Sequence, residues 1–134
     1  MKALTPLEQE ALKMLLDGKS EWLAVLRKQT CDLQPSSREM TGVGFVTRFS
    51  VRSDAPRLTS RPSFRIGDVA AEVNDLKHGA GFLLGVKDGA LDSLEGYSYD
   101  EPWPKNIHTF RLYYTSNKGR DEDELEKSIK YKAP

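Results

Sequence analysis

The sequence predicts an α+β domain: an N-terminal helix or helix pair, then a mostly antiparallel sheet of about five strands. Apolar residues recur at helical spacing before Thr30 and at a spacing of two between Thr41 and Thr115. An Asp88-Gly89 pair separates two alternating runs, the local signature of a tight hairpin. The 134 residues, 38% of them hydrophobic, match one ordinary domain. The expected division is 1–116 as the domain and 117–134 as a charged tail.

Thr5-Pro6-Leu7-Glu8 is a capping-box pattern. The Thr5 hydroxyl can accept from the Glu8 amide, Glu8 can reach back to the Thr5 amide, and Pro6 stands where its missing N–H costs nothing. Leu7, Ala11, Met14 and Leu15 follow at helical spacing, and Gly18 is a natural stop. Ser20 can cap a second helix carrying Trp22, Leu23, Val25 and Leu26, which ends near Thr30.

Gln34-Pro35-Ser36-Ser37 reads as a turn or loop. From Thr41 the period becomes two, with Val43, Phe45, Thr47, Phe49 and Val51 on one face of a half-buried strand. Residues 52–63 are rich in Pro, Arg and Ser and read as an exposed, mobile loop. Phe64–Val73 reads as a strand with a bulge or close contact at Gly67. A two-residue turn at Asp88-Gly89 places Lys87 opposite Ala90, Leu84 opposite Ser93 and Phe82 opposite Glu95. That register puts Phe82, Leu84, Val86 and Leu91 on one face. Leu83 and Leu94 lie on the other with Gly81, Gly85 and Gly96, where a helix is expected to pack, with the larger opposite face competing for it. A one-residue bulge would exchange one strand's faces. Ile107–Thr115 is the last strand, with His108, Phe110, Leu112 and Tyr114 on one face. The tail from Ser116 has few apolar residues. It reads as disordered or as a loosely docked charged helix around Leu125 and Ile129.

The zero net charge hides a segregation. Residues 35–66 hold six Arg and no Lys against Glu39 and Asp54, whereas residues 67–105 hold eight acids against three Lys. Six arginines beside an acidic half fall short of the basic domain that nucleic-acid binding needs, so no nucleic-acid partner is expected. No apolar run reaches the ~18 residues of a membrane span, so no membrane partner is expected. The start lacks a secretory pattern, and Cys31 alone cannot close a disulfide, which leaves a reducing cytoplasm as the expected location.

Catalytic signatures are sparse. Gly42-Val43-Gly44 and Gly79-Ala80-Gly81 lack the third glycine of a phosphate or dinucleotide loop. Gly96-Tyr97-Ser98-Tyr99-Asp100 is half of a hydrolase elbow, and His78-Gly79-Ala80-Gly81 faintly resembles an oxyanion loop without a nucleophile to serve. A zinc site from His78, His108 and Glu72 or Glu95 has no supporting spacing, so no metal and no cofactor are expected. Glu95, expected opposite Phe82, would be desolvated if that face is buried, which favours its neutral form, as in a general acid. A hydrogen-bonded or arginine-paired carboxylate is the commoner arrangement.

The most specific local feature is the aromatic–acidic run Glu95-Gly96-Tyr97-Ser98-Tyr99-Asp100-Glu101-Pro102-Trp103-Pro104. Tyr and Trp supply contact area at low entropy cost, and proline restrains the chain. Trp103 is expected buried, with Tyr99, Asp100 and Glu101 exposed. Together with Thr41-Gly42-Val43-Gly44-Phe45 and Gly79-Ala80-Gly81-Phe82-Leu83-Leu84, this run resembles a family of small uncharacterised bacterial proteins over about residues 5–115. Gly85 departs from the bulkier apolar residue expected there. The resemblance implies a shared fold and a bacterial, cytoplasmic origin; it carries over no activity and no catalytic residue.

The leading functional expectation is a non-enzymatic protein-binding module of a bacterial protein pair, immunity-like in character. Glu95, Tyr97, Tyr99, Asp100, Glu101 and Trp103 would contact a basic partner. The alternatives are a small enzyme or ligand-binding protein with a pocket around His78 and Glu95, and a homodimer joined through an edge strand.

Overall fold

A computed structural model describes residues 3–59, 63–116 and 119–131. In chain order these form α1 (Pro6–Leu15), α2 (Glu21–Lys28), β1 (Gln34–Met40), β2 (Gly44–Ser50), β3 (Phe64–Ile66), β4 (Val69–Val73), β5 (Ala80–Lys87), β6 (Ala90–Ser98), β7 (Phe110–Tyr114) and α3 (Glu122–Tyr131). The α+β class holds, with seven strands in place of about five. Every strand pair is antiparallel. The order across the sheet is β1-β2-β6-β5-β4-β7, and β3 pairs with the far end of β5.

The capping box forms as its residues dictate. The Glu8 amide donates to the Thr5 hydroxyl at 3.1 Å, and the Thr5 amide donates to Glu8 Oε1 at 2.8 Å. Glu8 then does more than close a helix. It is 1% exposed, takes two hydrogen bonds from Arg38 of β1 at 2.6 and 3.1 Å, and accepts from the Thr47 hydroxyl of β2. Burial pushes its carboxyl pKa up. The bonds from Arg38, Thr47 and the Thr5 amide, with the Arg38 charge, outweigh burial and hold it below the usual carboxylate value.

Two new strands come from segments that read otherwise. Residues 34–37, expected as a loop, open β1, which pairs with β2 along its length. Pro35 is tolerated because β1 is an edge strand, and the register shifts between Pro35 and Ser37. The 64–73 segment is two strands rather than one. A single alternation would place Phe64 and Ile66 on the face opposite Val69, Ala71 and Val73. The interruption at Gly67-Asp68 lets all five point into the core.

The β5–β6 hairpin keeps its predicted turn, with Lys87 opposite Ala90 and left-handed φ at Asp88 (52°) and Gly89 (82°). Its register differs. Val86 faces Leu91 and Gly85 faces Ser93, so Asp92 is an extra residue in β6. Without that bulge Leu91 and Leu94 would point to opposite faces; with it both are buried, at 2% and 0%. Leu84 therefore faces Leu94, Phe82 faces Gly96, and Glu95 faces Leu83 instead of Phe82.

Helices and loops lie on the face of Phe45, Ile66, Val69, Phe82, Leu84 and Leu94. The face bearing Gly81, Leu83 and Gly85, where a helix was expected, carries none among the described residues. Space on it is filled locally: a Cβ at Gly81 would lie 2.6 Å from the Tyr97 ring that covers it. On the core face Phe45 covers Gly96 in the same way, at 2.4 Å. Both glycines lie directly opposite the aromatic residue that shields them.

Residues 122–131 form a seated helix, firmer than the loose docking expected of this tail. Leu125 and Ile129 are 5% and 2% exposed. Glu122 accepts from the amides of Lys19 and Ser20 and from the Ser20 hydroxyl, at 2.6–3.0 Å. Ser20 thus stands at the N-cap of α2, but its hydroxyl serves Glu122 and not its own helix. Arg120 grips Asp68 with two bonds and reaches the Asp17 carbonyl at 2.7 Å. The 52–59 stretch is likewise tied down. Gln29, 1% exposed, donates to the carbonyls of Pro56 and Gly89 and accepts from the Leu91 amide. The remainder of the loop reading, 60–62, and the tail positions 117, 118 and 132–134 lie outside the described residues.

Candidate functional site

One end of the sheet gathers the sequence's aromatic–acidic run and the Thr41–Val43 turn. The turn between β1 and β2 is made possible by Gly42, at φ 93°. Ser98 donates its amide to the Val43 carbonyl at 2.8 Å, and Trp103 donates its amide to the Gly42 carbonyl at 2.9 Å. The two chain reversals are therefore stitched side by side. Met40 (59% exposed), Val43 (44%) and Tyr99 (50%) belong to this tip; among the described residues the other large exposed hydrophobic is Tyr113, on β7.

The tip is held rigidly from behind. Asp100 takes a left-handed φ of 65°, and the Ser98 hydroxyl bonds both the amide and the carbonyl of Glu101. Glu101 directs its carboxylate oxygens to the amides of Lys77 and His78, at 2.8 and 2.9 Å. Those two backbone bonds hold its carboxyl below the usual value. Trp103 is half-buried, not sealed, and meets the Phe45 ring edge-on at 5.6 Å. Tyr97 and Tyr99 meet edge-on at 5.8 Å. Burial, and then its neighbours Tyr99 and Glu95, push the Tyr97 hydroxyl pKa up.

Six residues were singled out for binding, and the structure sorts them. Tyr99 and Asp100 are exposed at the tip. Tyr97 and Glu95 share the open sheet face leading to it. Glu101, half-exposed, bonds the Lys77 and His78 amides, Trp103 packs on Phe45, and together they fix the loop. Met40 and Val43 join the tip without having been singled out. Val43 had been placed on the core face because alternation was counted from Thr41, whereas β2 begins at Gly44. The glycine at 42 was the available signal.

Glu95 and His78 are not brought together. Glu95 lines a broad concavity of about 900 Å³ on the open face, with Arg48, Arg65, Lys87 and Asp92. His78 is exposed in the turn before β5 and lines neither this concavity nor the smaller one beside α1. His108 is exposed ahead of β7, its amide bonded to Asn74. Among the described residues no three His, Cys, Asp or Glu side chains converge as metal ligands. No helix among them is long and apolar enough to cross a membrane. No family model, curated protein or solved structure matches the chain.

Proposed function

We propose that the chain is a non-enzymatic protein-binding module, the member of a bacterial protein pair that covers a basic surface on its partner in an immunity-like way. The observation that supports this reading is the exposure of Val43 and Tyr99 at one braced end of the sheet, beside Asp100. Exposed apolar side chains grouped on a rigid edge gain most from being covered, because their loop pays little ordering entropy on contact. Tyr99 supplies the anchor, Val43 the apolar surround, and Asp100 with Glu95 the attraction for a basic partner. Glu101 and Trp103 position the loop.

The test compares capture from native lysate by the wild-type chain and by Tyr99→Ala/Asp100→Ala. Both side chains are exposed, and the left-handed φ of 65° at Asp100 with the lost Tyr97 contact should lower the melting temperature by only a few degrees. A partner held through the tip should bind the variant about 30-fold more weakly or worse, the cost of removing an aromatic anchor. Retention of every captured partner at unchanged strength would remove the tip from the reading.

A further inference from the structure

Behind the tip, α1, β1, β2 and the 103–110 segment line a half-open pocket of about 280 Å³. Leu7, Phe45, Trp103, Ile107 and Phe110 give it apolar, largely aromatic walls. Its size falls just below the ~300–1,000 Å³ of drug-sized sites, room for one ring and a short chain. Three of its lining residues carry charge: Glu8, Arg38 and Lys105. Glu8 and Arg38 neutralise each other through two hydrogen bonds, and the Thr47 hydroxyl takes up Glu8 further. Arg38, 18% exposed, spends its Nε and Nη2 on Glu8 and the Ala3 carbonyl, so its charge is already matched at the inner end. Lys105 lines the same pocket and is exposed, so it stands at the rim, and no hydrogen bond or ion pair joins it to a described residue. The lining therefore presents an apolar interior and one uncompensated positive charge at its entrance.

We propose that this pocket binds a small aryl carboxylate, ring inward and carboxylate toward Lys105. A cationic ligand would meet repulsion at the mouth. A neutral one would forgo the ion pair, and a strongly polar one would lose its hydration to walls that return nothing. The inference stands apart from the tip, although Met40 and Trp103 border both.

The probe is 3-phenylpropionate, titrated into the full chain by calorimetry and by amide chemical-shift mapping. Its neutral isostere 3-phenylpropionamide and the Lys105→Gln variant serve as comparisons. The expected result is saturable one-to-one binding in about the millimolar range that ligands of this size reach. The amide should bind about threefold more weakly, the worth of one exposed ion pair, and Lys105→Gln should bring the two probes level. Shifts should centre on Leu7, Phe45, Trp103 and Ile107. No saturation, equal affinity of the two probes for the wild type, or shifts centred on the open face around Glu95 would each overturn the proposal.

Discussion

Glu8 shows how much one side chain can be asked to do. It closes the first turn of α1, neutralises Arg38 and accepts from Thr47, all while 1% exposed. Removing Arg38 alone would strand that carboxylate, at a cost of about 3 kcal/mol. Replacing both, as Glu8→Gln/Arg38→Met, should cost less than the Arg38→Met single variant, since the neutral Gln oxygen can still accept from Thr5 and Thr47 while no unpaired charge is left buried. Urea denaturation of the three chains measures this; a double variant less stable than Arg38→Met would reverse the argument. Gly96 makes a steric prediction of the same kind. Its added Cβ would press into the Phe45 ring, so Gly96→Ala should lower stability by about 1–3 kcal/mol in the same assay. Neither role was visible in the sequence beyond the capping box, because partners 30 to 51 positions away leave no local pattern.

At the scale of elements, α3 is fastened by chemistry at its start and by burial along its length. Donation from the Ser20 hydroxyl, and then from the Lys19 and Ser20 amides, holds the Glu122 carboxyl down at about 2. A group whose folded pKa lies below its unfolded value of 4.5 contributes stability above that value, and loses it as pH falls from there toward 2. Glu122→Gln should therefore be less stable than the wild type at neutral pH, and the gap should close as the pH is lowered through that window. Glu8 titrates in both chains, so the difference between their stability–pH curves isolates Glu122. A gap independent of pH would mean that the charge contributes nothing. Truncation after Ser116 should lower the melting temperature by several degrees, because Leu125 and Ile129 lose their burial, each worth about 1.5–3 kcal/mol before entropy is counted. Leu125 and Ile129 were legible in the sequence as the tail's docking residues. The depth of their seating was not, since it depends on Arg120 reaching Asp68 and Glu122 reaching the start of α2.

For the whole molecule, periodicity conveyed class and order: helices first, then alternating strands about an Asp-Gly turn. It could not show which sheet face the helices would cover, because a single bulged residue at Asp92 decides where Leu94 and Glu95 point. The tip was legible as a peculiar composition, while its partner turn at Thr41–Val43 emerged only from pairing. The same sheet raises the question of self-association. The outer strands carry defences against strand pairing: Pro35 and the irregular register on β1, a five-residue length with Arg111 ion-paired to Glu72 on β7, and a length of only three residues on β3. Light scattering over a concentration series should hold at the 15.1 kDa monomer. A mass that climbs with concentration would favour the homodimer joined through an edge strand.

The two tryptophans lie in different neighbourhoods. Trp22 meets Phe64 edge-on at 5.6 Å and donates its indole N–H to Glu126 of α3, while Trp103 leans on Phe45 beneath the tip. Each ring is thus a native optical reporter for one part of the chain. With Trp103→Phe, emission would follow the release of the last helix; with Trp22→Phe, it would follow what happens around the tip. The molecule can be watched in two places at once without a label.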